Sequence, residues 1–159
     1  MTSINRQLTP VWKLKKPMDS ANNFETDPEL PDELKGRVPT LRVIPMLPDS
    51  NPSGDIFGGW ILSQMDLAGA SRAHQYVGGR IVTVGVEAIS FHKPVFLGDQ
   101  VSFFTKVSKV GSTSITIKIE SWALRPAPGR TYQHIKVTEG YYTYVHIDEH
   151  RRPAKISPS

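Results

Sequence analysis

The hydrophobic and polar positions divide the chain into a proline-broken start, a regular middle and a short polar end. Residues 81–91 alternate apolar and polar side chains and stop at His92, Lys93 and Pro94. Over 100–110, Val101, Phe103, Thr105 and Val107 share one face. Over 114–124, Ile115, Ile117 and Ile119 lie on one face, with Thr116, Lys118 and Glu120 on the other. This period of two predicts half-buried strands. Residues 41–47 read as a short first strand. Residues 131–147 read as a long last one with Tyr142 and Tyr144 on one face, reached through a loop at 125–130. Only residues 57–77 form a long helical candidate. One helix and an antiparallel sheet must lie against each other to bury their apolar faces. The expected class is therefore α+β, with one central helix wrapped by a curled sheet of about five strands.

The ends differ from this middle. Pro10, Pro17, Pro28, Pro31 and Pro39 interrupt residues 1–40, which predict an extended or partly disordered arm. Residues 41–149 are the expected folded domain, and 150–159 a flexible tail.

Composition narrows the function classes. The 159 residues suffice for one domain with a proper core. There is no cysteine, hence no disulfide, thiolate metal site or cysteine nucleophile. The five histidines show no ligand-like spacing, so no metal is expected. No apolar run reaches the ~20 residues of a membrane helix, and the first residues lack the apolar core of a secretory signal. Membrane insertion is not expected, and a cytoplasmic location is. The formal net charge of +4 favours anionic partners. The charges are spread, however, and only Lys13, Lys15 and Lys16, and Arg151 with Arg152, form tight groups, both near the termini. No helix-turn-helix, aromatic ribonucleoprotein motif or basic stripe is visible, so nucleic acid is not an expected partner.

Candidate chemistry collects at the helix. The run from Asn51 to Trp60, NPSGDIFGGW, is a glycine-rich turn leading into ILSQMDLAGA. Gly58 and Gly59 fall at the helix start, where backbone N–H groups lack partners and the helix dipole is positive. Two readings stand there: an oxyanion or anion site, or a plain tight turn capped by Asp55. Asp66 lies two turns on, with Leu62, Ser63, Gly69 and Ala70 as helical neighbours. It is either a structural acid satisfied by a cross-strand hydroxyl, or a general base in a packed environment. Ala68, Gly69 and Ala70 allow close approach of a sheet or another subunit.

The string NPSGDIFGGWILSQMDLAG closely resembles the signature of YciA-type acyl-CoA thioesterases, members of the hotdog-fold thioesterase superfamily. The resemblance continues in order through Arg80 to Val84, Val86-Glu87, Phe91 to Pro94, Gly98-Asp99, Lys109 to Ser114, Glu120 to Trp122, Val137 to Glu139 and Tyr144-Val145. It covers about two-thirds of the chain. It implies a hotdog fold and a homodimer with a continuous sheet, assembled further into a homohexamer, a trimer of dimers. It also implies active sites at the dimer interface.

The activity implied is hydrolysis of acyl-CoA to free CoA and a carboxylic acid. Asp66 matches the catalytic aspartate, as general base or as nucleophile giving a transient anhydride. Gly58 and Gly59 would polarise the thioester carbonyl. Asn51 matches a polar position that orients water or substrate, or else it shapes the turn before Pro52. Thr83 either helps to place water from the other subunit or serves as a strand former. Phosphates of the CoA moiety, part of the substrate rather than a cofactor, would meet Lys109, Gly111, Ser112 and Thr113, then Lys93 and Arg130. Each of these is alternatively ordinary surface. Two rivals share the fold: a non-catalytic acyl-CoA-binding protein, and a hydratase or dehydratase. The latter usually pairs a histidine with an acid, and the only histidine on the helix, His74, is about two turns from Asp66.

Overall fold

The computed structural model describes residues 30–157, so residues 1–29 of the arm expected over 1–40 lie outside the described residues. The elements are β1 (Leu41–Val43), α1 (Gly58–Val77), β2 (Ile81–Phe91), β3 (Gln100–Val110), β4 (Ser114–Ala127) and β5 (Thr131–His146). The strands form one antiparallel sheet in the order β1-β3-β4-β5-β2. Helix α1 lies across it and contacts all five strands.

The alternation read from the sequence sets which face meets the helix. Val101 and Phe103 from β3, Ile115, Ile117 and Ile119 from β4, and Val137, Tyr142 and Tyr144 from β5 are all buried. They pack against Ile61, Met65, Ala68 and Ala73 of α1 in one core. With buried Gly69 these helix positions recur at three- and four-residue steps, which is one face of an α-helix. Gly69 lies in the same face because the sheet comes close there. A Cβ at this position would collide with the Tyr144 hydroxyl and stand 2.7 Å from Ile119 Cδ1.

Four expectations are corrected. The first strand ends at Val43, because Pro45 and Pro48 have no N–H for a ladder; Leu47–Asp49 forms a 3₁₀ turn instead. The first half of the stretch 125–130 is strand, and Pro128–Arg130 is a 3₁₀ turn. β4 runs to Ala127, with Arg125, Pro126 and Ala127 opposite Gln133, Tyr132 and Thr131. Pro126 is tolerated because β3 begins at Gln100, opposite Leu124, so beyond it β4 is an edge.

The described part of the N-terminal region, 30–40, is anchored to the domain at Leu34 and Arg37, though most of its residues are exposed. Leu34 is buried with Phe104 and Trp122 on the outer face of the sheet. Arg37 pairs with Glu120 at 2.8 Å there. The C-terminal segment also folds back. Ala154 N–H donates to His146 O at 2.9 Å, and Ile156 N–H to Ser112 O at 2.8 Å.

The outer face is held by ion pairs. Lys136 contacts Glu120 at 3.2 Å and Glu139 at 3.0 Å, and Lys118 reaches Glu139 at 3.2 Å. Lys136, helped by Lys118 and His92 and opposed by burial, holds the Glu139 carboxyl down to about 2.

Candidate active site

The turn before α1 is organised by Asn51. Its Oδ1 accepts from Ser53 N–H at 2.9 Å and Asp55 N–H at 3.1 Å. Gly54 N–H donates to Asn51 O at 2.9 Å. An asparagine side chain bonding its own backbone two residues on is a turn-forming device, so the Oδ1 of Asn51 is occupied in shaping the loop. Ile56 N–H donates to Val95 O at 2.9 Å, and Phe57 N–H to Asp49 O at 3.0 Å. The loop at 94–99 that receives Ile56 is itself clamped. Buried Asp99 takes Arg125 Nε at 2.9 Å and Nη2 at 2.7 Å, and Arg125 also donates to Pro94 O at 2.8 Å. The guanidinium lies 4.4 Å over the Phe96 ring.

Helix α1 therefore starts from a rigid support, but its first turn carries no side-chain cap. The residue at the cap position is Phe57, not Asp55, and it has no side-chain oxygen to offer. This corrects the capping role expected of Asp55. Its N–H is taken by Asn51, and it bridges to Phe96 rather than turning onto the helix. Gly58 and Gly59 follow. Their N–H groups belong to the first turn, where a helix has no carbonyl for them. A Cβ at Gly59 would meet nothing within 4 Å, whereas one at Gly58 would stand 3.4 Å from the Phe91 ring, so the space beside Gly59 is open and Phe91 flanks Gly58.

Asp66 sits on the flank of the helix, beside the buried face rather than at its centre. It is only partly buried. The expectation of a carboxylate pointing into packed surroundings is thus revised. At 100° per residue, 61, 65, 68 and 69 take the centre, and 62, 66 and 70 the margin. Two hydroxyls reach it there. Thr83 Oγ1 donates to Asp66 Oδ1 at 2.9 Å, and the Tyr144 hydroxyl is 3.0 Å from Asp66 O and 3.2 Å from Oδ1. Thr83 and Tyr144 are ladder partners on β2 and β5. Among the described residues Oδ2 has no partner. Burial first, then the Asp66 charge, pushes the Tyr142 hydroxyl up to about 12 and Tyr144 higher still, so both remain donors across neutral pH.

The remaining candidates are scattered. Gly111, Ser112 and Thr113 form the β3–β4 turn. Gly111 N–H donates to Ser114 O at 2.7 Å, Ser112 O is taken by Ile156, and Thr113 O by His146 N–H at 2.9 Å. Lys109 beside them is exposed. This turn lies at the C-terminal end of α1, where Gly79 touches His146. Lys93 is also exposed but belongs to the other end, two residues past Phe91, whose ring adjoins Gly58. Of Arg130 only the backbone is described. Thus one chain brings Asp66 and Thr83 together but separates the glycine amides from the basic turn by the length of the helix, about 30 Å. His74 Nδ1 is occupied by Gly79 O at 2.8 Å, away from Asp66. Among the described residues no cluster of three or more metal-ligating side chains occurs, and no helix is long and apolar enough to cross a membrane.

Sequence reasoning missed Tyr144 as a partner of Asp66, and the Asp99–Arg125 clamp. The signal for the tyrosine was present. A tyrosine on a buried strand face must find a partner for its hydroxyl, and among the described residues the layer that adjoins this face is the helix.

One long helix in the curl of a five-stranded antiparallel sheet, with a hydroxyl-held carboxylate on its flank, defines a hotdog-fold protein. Residues 53–127 match the Thioesterase superfamily. The acyl-CoA thioester hydrolase YciA of Escherichia coli is 42% identical over 116 residues, spanning 73% of this chain and 88% of that protein. A hexameric hotdog fold thioesterase of Campylobacter jejuni superposes with a TM-score of 0.73 at 42% identity, covering 77% of this chain and 91% of its own. A hexameric broad specificity acyl-coenzyme A thioesterase gives 0.71 at 41% identity, covering 77% and 83%. The chain belongs to the YciA-type branch of the hotdog-fold thioesterase superfamily.

Proposed function

We propose that this chain hydrolyses acyl-CoA thioesters to CoA and a carboxylic acid. The observation that carries the reading is Asp66. It is a carboxylate with one oxygen held by two hydroxyls and the other unpartnered, on the helix whose first-turn amides are uncapped. The N–H groups of Gly58 and Gly59 polarise the thioester carbonyl and hold the oxyanion that develops on it. Asp66 takes a proton from water as the water oxygen adds to the carbonyl carbon. The C–S bond then breaks, and the CoA thiolate leaves and is protonated. If Asp66 instead attacks directly, a mixed anhydride forms and water cleaves it. A single turnover in ¹⁸O-water tests the second route, since label enters the protein carboxylate only when water opens an anhydride at the Asp66 carbonyl.

Seven residues separate Gly59 from Asp66, about 10 Å along the axis. This spacing favours a composite site, with the amides of one chain facing the carboxylate of another. A dimer joined along β2 suits this reading. β2 is an edge of the sheet and exposes Val84 and Val86. The hexameric relatives support further assembly into a trimer of dimers. In such an assembly the β3–β4 turn with Lys109, Gly111, Ser112 and Thr113 receives the CoA phosphates of a neighbouring chain's site. Asn51 Nδ2 remains available to the substrate, with Lys93 as a further cation near the helix start. No cofactor is required, the CoA moiety being part of the substrate.

The test is a panel of acyl-CoA chain lengths, followed by free-thiol release, on wild type and Asp66→Asn. The expected result is turnover by wild type and a loss of about 10²–10⁴-fold in kcat for the variant. Failure of the wild type to cleave any acyl-CoA, or an unchanged kcat in the variant, overturns the reading.

A further inference from the structure

Tyr142 and Tyr144 stand two residues apart on the buried face of β5, and each sends its hydroxyl to a main-chain carbonyl of α1. Tyr142 reaches Leu62 O at 2.9 Å, and Tyr144 reaches Asp66 O at 3.0 Å. Two strand residues span about 6.6 Å, and four helical residues about 6 Å. The pair therefore fits the helix like two pegs and fixes its register on the sheet. The pegs differ in one respect. The Tyr144 hydroxyl is also 3.2 Å from Asp66 Oδ1, the oxygen that accepts Thr83 Oγ1 at 2.9 Å.

The space for this contact is made by Gly69, three residues on from Asp66. Any Cβ there would meet the Tyr144 hydroxyl. Helix formation alone favours alanine over glycine by about 1 kcal/mol. A glycine at this point in the helix therefore marks close approach rather than local preference.

We infer that Tyr144 is a positioning residue for Asp66. Together with Thr83 it occupies Oδ1, so that Oδ2 alone is presented to the acyl carbonyl or its attacking water. The inference rests on Asp66 being the reacting carboxylate. A carboxylate free to rotate about its Cβ–Cγ bond presents either oxygen in many orientations. Fixing one oxygen by two donors from two strands removes that freedom before substrate arrives. Tyr142 supplies an internal control, because it makes the same kind of bond to the helix backbone without touching a carboxylate.

The experiment compares Tyr144→Phe with Tyr142→Phe by steady-state thioester hydrolysis and thermal melting, with Asp66→Asn alongside. Each phenylalanine keeps the ring and deletes one hydroxyl. Both variants should melt within a few degrees of each other. Tyr144→Phe should lose about ten- to a hundredfold in kcat, with KM within about twofold of wild type. Tyr142→Phe should stay within about twofold in both constants. Equal losses of kcat in the two variants would mean that the tyrosines only anchor the helix, and would overturn the inference. So would an unchanged kcat in Tyr144→Phe, or a loss confined to KM. An unchanged kcat in Asp66→Asn removes the underlying reading itself and is seen separately. Thr83→Val gives a second readout on the same oxygen. Its effect should combine with Tyr144→Phe less than additively, whereas full additivity argues against a shared role.

Discussion

At its C-terminal end α1 closes on Gly78, whose φ of +67° lets its N–H reach His74 O at 2.8 Å, while the His74 ring bonds Gly79 O through Nδ1. At its N-terminal end the cap residue is Phe57, no side chain caps the first turn, and a Cβ at Gly59 would meet nothing within 4 Å. Both ends carry groups without helical partners, yet only one end is closed by its own sequence. The open end rests on a clamped loop, through Ile56 N–H on Val95 O and the Asp99–Arg125 pair. Its bareness therefore does not come from loose structure. Donors left bare on a rigid support at the positive end of the helix dipole suit an anionic or polarised guest. The closed end needs none. Three substitutions along the helix, at positions 58, 69 and 78, test whether this contrast is functional.

Gly58→Pro should have the largest effect and should act on catalysis rather than on folding. Proline is favoured at the first helical position. Phe57 already has φ −56° and ψ 134°, the extended conformation that a following proline requires. A Cβ at 58 would lie 3.4 Å from the ring of Phe91, which is half-exposed and can give way. The substitution thus deletes one N–H and little else. If that amide holds the thioester oxygen, kcat should fall about 10²–10³-fold, a barrier change of about 3–4 kcal/mol, with the melting temperature little changed. Hydrolysis kinetics with a melting curve decide it. An unchanged kcat would reduce the open end to a structural accident.

Gly69→Ala should come next and should damage folding and chemistry together. The added methyl would displace the Tyr144 hydroxyl and press on Ile119 Cδ1, both in the buried core. Overpacking and a lost buried hydrogen bond together cost about 3 kcal/mol. Denaturant unfolding should show that loss. Because Tyr144 also contacts the Asp66 carboxylate, kcat should fall at temperatures where the variant is still folded. A stabilised variant, as the helix propensity of alanine alone would give, would show that the close approach at 69 is not a constraint.

These positions also show where sequence reading reached its limit. The sheet was legible because Ile115, Ile117 and Ile119 alternate with Thr116, Lys118 and Glu120, and a half-buried strand tolerates no other arrangement. The helix was legible at 57–77 from its length and its helical pattern. Asp66 was legible as a polar residue in a stripe of small and apolar ones. What holds Asp66 was not, since Tyr144 is 78 residues away and Thr83 is 17. The buried face of β5 points the Tyr144 hydroxyl at the helix as a whole, but nothing local in either strand says which helix residue it meets. The extent of β4 was hidden by Pro126, which reads as a break until the start of β3 is known. Packing of the C-terminal segment depends on main-chain bonds to Ser112 and His146, which leave no mark on side-chain pattern. Local pattern thus reported each element, while pairings between elements carried the site.

Gly78→Ala should have the smallest effect, and one confined to stability. The left-handed conformation at this position costs an L-residue about 1 kcal/mol, and no atom lies within 4 Å of where its Cβ would stand, so sterics beyond the backbone add nothing. The variant should unfold about 1 kcal/mol more easily in denaturant, with an unchanged slope. Its kcat and KM should match wild type at temperatures well below the melting transition, because the closed end is about 18 Å along the axis from Asp66 and farther still from the glycine amides. This is the sharpest check on the contrast between the ends. A stability loss at 78 without kinetic change, set beside a kinetic loss at 58 without stability change, would separate the two roles on one helix. A fall in kcat at 78 would mean instead that the helix C-terminus itself supports the chemistry, beyond the phosphate contacts proposed for the neighbouring β3–β4 turn, and the division between a working end and a structural end would have to be given up.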